Sequence, residues 1–174
     1  DRTTIAPPPH RYIYRGENPD SAKIRVAIVA EGFTTGEMPQ FEEYARQAVD
    51  AILEHSPFAE RAEDFDFIAV ETASAHTGVA VPQTGEWPQS AFGAHFSTFG
   101  SERYLTLPRV HILYDAVAPL NTHHIIILAN TAIYGGGGIF NLYTITAARN
   151  ELMPRVTVHE FGHSFAGLAD EYFY

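Results

Sequence analysis

His159-Glu160-Phe161-Gly162-His163 is the run of residues around which this chain is read. On a helix its two histidines fall one turn apart on one face. Stacked in that way, each can bring a ring nitrogen to about 2.0–2.1 Å from a single zinc ion. Glu160 projects roughly 100° further round, at about 3.6 residues per turn, and reaches a water on the metal without becoming a ligand itself. Two ligands, an open position and a carboxylate to accept a proton are what metal-assisted hydrolysis requires. The flanks predict the helix. Pro154 suits its first position and Gly167 a left-handed C-cap. Val158, Phe161, Gly162 and Phe165 recur as a core-facing stripe. Beyond the cap, Leu168-Ala169-Asp170-Glu171-Tyr172 returns two carboxylates towards the metal. A surface helix can carry this motif by chance, but this helix is mostly apolar, and burying two histidines and a glutamate to no purpose is costly.

Working outward, Ile24 to Ala30 reads as a buried strand. Thr34 and Glu37 form a capping-box pattern, after which Met38, Phe41, Ala45, Ala48 and Ile52 repeat at helical spacing as far as Ser56-Pro57. Phe65 to Thr72 is a second strand, which makes a parallel βαβ unit. Residues 73–100 show no period and read as a long functional loop. Ser101 to Leu107 reads as a short helix, His111 to Val117 fits either strand or helix, and His124 to Ala129 is the best central strand. Gly135-Gly136-Gly137-Gly138 leads into the β-prone segment Ile139 to Thr146. That reads either as a plain loop and hairpin or as an edge strand open to a peptide, with Gly136, Gly137, Gly138 and Ile139 as substrate-binding residues. The expectation is an α/β (α+β) domain: a twisted mixed sheet, one backing helix, and the HExxH helix beneath the edge strand.

The chain has 174 residues, 45% of them hydrophobic and 18% charged, which suits one globular domain over residues 21–174. Residues 1–20, with Pro7-Pro8-Pro9, Gly16 and Pro19, read as an extended lead-in or linker. A net charge of −10 argues against nucleic acid and anionic membrane surfaces as partners. No apolar run approaches the roughly 20 residues of a membrane span. With no cysteine, nothing is stapled and the redox compartment is not legible. The start at Asp1 points to a processed chain or an excised piece of one.

The run from His159 to Tyr172 resembles the signature of the bacterial IgA-specific metallopeptidase family. Glu31-Gly32-Phe33, Glu37-Met38, Gly78-Val79, Arg103-Tyr104-Leu105, Ala129-Asn130 and Tyr134 to Gly138 are similar to landmarks of that family in the same order, so the resemblance spans roughly residues 24–174. It implies a secreted or cell-envelope zinc endopeptidase of the metzincin-like group, acting on protein or peptide substrates. Carried over residue by residue, it implies Zn²⁺ on His159 and His163 and Glu160 as catalytic base. Metzincins place the third ligand six residues after the second histidine, which is Ala169 here. Because Gly167 is displaced by one position in the same direction, the resemblance favours Asp170, with Glu171 second. The methionine turn of that group lies downstream of the motif, whereas Met38 and Met153 lie upstream, so the C-terminal part of the domain is expected to be missing.

Two rival functions belong beside the peptidase: a non-catalytic, zinc-stabilised binding module, and a zinc hydrolase of cell-wall peptides. The intact Glu160 argues against the first, since a structural zinc site needs no base. Among the other residues, His76 and His95 are candidates for a cleft, and His123-His124 read as packing or solvent-facing. Glu31 reads either as support for the zinc histidines or as a solvated strand end. Tyr172 and Tyr174 are candidate oxyanion donors or core residues.

Overall fold

The computed structural model describes residues 7–170. Among these, β1 (His10–Arg15), β2 (Ile24–Glu31), β3 (Phe65–Val70), β4 (His124–Ala129), β5 (Gly136–Ile139) and β6 (Tyr143–Ala147) form one sheet in the order β1-β3-β2-β4-β6-β5. The four inner strands are mutually parallel, and the two outer strands run antiparallel to their neighbours. The sheet is mixed, as expected for a metzincin-like peptidase domain.

Helix α1 (Met38–Leu53) starts from the predicted capping box, in which the Glu37 carboxylate accepts the Thr34 N–H at 2.8 Å. Its Met38, Phe41, Ala45, Ala48 and Ile52 are buried, as their spacing requires. Helix α3 (Met153–Ala166) packs beside α1 and crosses β5 and β6, so both helices cover the same face of the sheet. The opposite face is closed by α2 (Val110–Val117) and by side chains from residues 79–107, among them Phe92, Phe96 and Leu105. With both faces covered, β2 is buried from Val26 to Glu31, which explains its continuous apolar run. No helix among the described residues is long and apolar enough to cross a membrane.

The sequence reading needs correction in four places. Residues 10–15 do not belong to a linker: they form β1 and pair with β3, because Tyr12 to Arg15 supply an edge to the parallel core. Residues 101–107 are not a helix, and instead run extended, with Tyr104 bridged to Gly136 and Thr106 to His95. The ambiguous segment from His111 to Val117 is helical. The expected edge from Ile139 to Thr146 is wrong for its second half. The chain turns after Ile139, and β6 is paired on both sides, by β4 and by β5. The β-branched residues of β6 reflect two-sided burial, and the edge strand is built from glycines.

Residues 73–100 have no period because hydrogen bonds from Glu31 outside the segment and Ser74 within it, rather than a regular element, hold them. The Glu31 carboxylate accepts hydrogen bonds from Ser90 Oγ (2.7 Å), Phe92 N (2.9 Å) and Ala94 N (2.7 Å). Ser74 Oγ accepts the N–H groups of Gly32 at 3.0 Å and Ala91 at 2.9 Å. Glu31 is 0% exposed and bonds to neither zinc-candidate histidine, so both sequence readings of it fail.

Candidate metal centre

Helix α3 stands on a short polar and aromatic footing. Phe161 is fully buried against Phe58 and Phe165, and Thr144 Oγ1 of β6 is hydrogen-bonded to Ser164 Oγ of α3. Those anchors turn the other side of the helix, with His159, Glu160 and His163, into a cleft of about 670 Å³. Gly167 ends the helix at φ 67°, in the left-handed region foreseen for it, and its N–H bonds the His163 carbonyl at 3.0 Å. The reversal carries the chain back over the histidines.

Three ligand atoms meet there. Asp170 Oδ1 lies 3.1 Å from His159 Nε2 and 3.2 Å from His163 Nε2, and the two nitrogens are 3.1 Å apart. A tetrahedral zinc ion with bonds of about 2.0–2.1 Å separates its ligand atoms by roughly 3.3–3.4 Å, close to this triangle. The donor chemistry fits as well. His163 Nδ1 is held by the Leu168 carbonyl oxygen, which only accepts, so in the neutral ring Nδ1 carries the proton and Nε2 presents a lone pair. A lone pair facing a carboxylate oxygen at 3.2 Å is stabilised by a cation between them. His163 is 17% exposed, Asp170 34% and His159 53%, so the triangle opens to solvent on the His159 side. Glu171 and the tyrosines at 172 and 174 lie outside the described residues.

Glu160 lines the same cleft but is not part of the triangle. Burial pushes its carboxyl above the ordinary glutamate value; His159 and His163 oppose that shift, and Asp170 adds to it. Strand β5 lies directly over it. A Cβ placed on Gly138 would sit 2.9 Å from the His163 Cβ, and one on Gly136 would sit 2.9 Å from Val156 Cγ1. Only glycine allows the strand to come so near the helix. Gly136 donates its N–H to the Arg103 carbonyl at 3.2 Å and accepts from the Leu105 N–H at 3.3 Å, so its backbone groups face away from β6. The strand's two-residue alternation turns those of Gly138 the same way, and no described residue bonds them. Gly137 and Ile139 face β6 instead.

A model of the IgA peptidase M64 family matches residues 15–174. The chain belongs to this IgA peptidase M64 family. Membership makes the protein a peptidase of a metallopeptidase family, whose substrate is a protein or peptide. Comparison with curated proteins gives no match. The family match takes in β1 from its last residue, together with all the remaining strands and the cleft.

Several histidines stand apart from this M64 site. His76 Nδ1 accepts the Gln89 N–H, His95 bonds the Phe96 carbonyl, and neither lines the cleft. His123 Nδ1 accepts the Arg25 N–H, and His124 packs on Phe165 with ring centres 4.5 Å apart. Met38 and Met153 are core residues away from the triangle. Arg103, Tyr104, Phe140 and Arg155 were missed as parts of the cleft wall. For Arg155 the signal was available, since it precedes His159 by four residues and therefore shares its helix face.

Proposed function

We propose that the protein is a zinc-dependent endopeptidase in which His159, His163 and Asp170 hold the metal and Glu160 is the general base. The observation that supports this most strongly is the triangle of two Nε2 atoms and one carboxylate oxygen, with a separate half-buried carboxylate beside it in the same cleft. Zinc, when bound, supplies a Lewis acid and a water acidic enough to be deprotonated near neutral pH. Glu160 accepts the proton of that water and passes it to the nitrogen of the leaving amine, two transfers for which a raised carboxyl pKa is suited. The outward N–H and C=O of Gly138 pair with an extended substrate backbone, antiparallel to β5, and align the scissile bond over the histidines. Tyr104 and Phe140, both exposed, flank this channel with apolar surface for substrate side chains. The reading includes a secreted or cell-envelope place of work, to be checked by fractionating the source cells.

Replacing Glu160 by Gln tests the assignment of the base. The amide keeps the shape but takes no proton, so zinc content should be unchanged while peptide hydrolysis falls by roughly 10²–10⁴-fold. Turnover comparable to the parent would move the base elsewhere.

A further inference from the structure

We propose that Arg103 and Arg155 form a carboxylate-recognition site that selects an acidic group on the C-terminal side of the scissile bond. This rests on the peptidase reading and on antiparallel pairing along β5.

Both arginines are exposed and both line the cleft that holds the histidines. Elsewhere among the described residues, Arg11, Arg15, Lys23 and Arg61 are engaged by carboxylates, whereas Arg25, Arg46, Arg109 and Arg149 form no ion pair, so it is the shared cleft that sets Arg103 and Arg155 apart. Among the described residues, neither Arg103 nor Arg155 has such a partner. In a chain of net charge −10, two unpaired guanidinium groups in one cleft are available to a ligand. Guanidinium binds a carboxylate through two parallel N–H bonds, which makes it selective for that group over a neutral amide.

Their place along the cleft gives the direction. The Arg103 carbonyl is bonded to Gly136, and Arg155 precedes Val156, whose side chain lies against Gly136, so both mark the Gly136 end of β5. His163 lies against Gly138, nearer the other end of the strand. A substrate running antiparallel to β5 enters past Ile139, meets the metal ligands near Gly138, and leaves the strand before Gly136. The outward groups of Gly136 are held by Arg103 and Leu105, so the substrate runs on past those residues. The residues that reach the two arginines are therefore those following the bond to be cut. An acidic side chain there and the free α-carboxylate of a short substrate present the same chemistry.

The test is a mixed peptide library incubated with the zinc-supplied protein, with cleavage sites read by mass spectrometry. One half of the library has free C-termini and the other half amidated ones. Asp and Glu should be enriched over Asn and Gln within the first three positions after the cut, by roughly tenfold, as expected for a charged hydrogen-bonded pair. Enrichment within amidated peptides identifies a side-chain carboxylate; cleavage confined to free C-termini identifies the α-carboxylate. The double variant R103E/R155E should shift the preference to Lys and Arg. The absence of both an acidic enrichment and a requirement for a free C-terminus, or a preference of either kind that survives the double substitution, overturns the proposal. If the parent protein cuts no peptide, the peptidase reading falls, but fluorescence anisotropy of labelled acidic and neutral peptides still decides the arginine site. Equal affinity for the two would overturn it.

Discussion

At Glu31 a single carboxylate organises a segment that has no α-helix or paired strand of its own. Burial raises its carboxyl pKa, and the donors from Ala94, Ser90 and Phe92 oppose that rise by satisfying the ionised form. His124 shows a residue of another kind, an imidazole wedged against Phe165 and Phe161. Burial, together with the neighbouring His123, lowers its pKa below the ordinary 6.5, so the folded protein keeps it neutral while the unfolded chain protonates. The stability it lends is fully present above about pH 6.5 and is lost as pH falls through the lower folded value. The melting midpoint of the zinc-saturated protein should therefore drop as pH is lowered below about 6.5, and His124→Phe should drop less over the same interval. Parallel curves for the two proteins would show that His124 does not titrate in this way.

Strand β5 is an element assembled almost wholly from glycine, which has little intrinsic preference for a strand. It exists because the space is narrow on both sides: Gly136 and Gly138 lie against α3, and a Cβ on Gly137 would meet the Leu105 carbonyl oxygen at 2.9 Å. The pairing of Thr144 with Ser164 holds α3 against β6 from the same side, so strand and helix form one unit. Gly138→Ala inserts a methyl group between His163 and the Glu160 carbonyl and should destabilise the fold by about 1–3 kcal/mol, the usual cost of overpacking. Urea unfolding measures it. An unchanged midpoint would show that the strand can lift away from the helix at no cost.

At the scale of the whole molecule, the sheet order puts the proposed catalytic residues at one end. The parallel βαβ core lies at β2 and β3, while α3 crosses the far pair, β6 and β5, whose outer edge is bridged at Gly136 by residues 103–105 and is left without a described partner at Gly138. The candidate metal site joins residues on α3 to residue 170 beyond its cap, so an ion bound there would tie the last described segment to the domain. Zinc at 100 times its dissociation constant should stabilise the protein by about 2.7 kcal/mol, visible as a higher calorimetric melting midpoint that a chelator reverses. Asp170→Ala should lose most of that gain; an undiminished zinc shift would exclude Asp170 as a ligand. Periodicity and local chemistry determined much of this arrangement. The capping box at Thr34, the helical repeat to Ile52, the strands starting at Ile24, Phe65 and His124, and the Gly167 cap depend on neighbours within a turn or two of chain. The juxtaposition of His159 and His163 is legible for the same reason, because helical spacing alone brings them together. What only the tertiary structure decided depends on groups far apart in sequence. Glu31 reaches across 63 residues to Ala94, Arg103 pairs with Gly136, and the glycine strand is set by the helix beneath it. No local pattern encodes such contacts, because the hydrogen bonds and close approaches that define them form only when the remote partner is already in place.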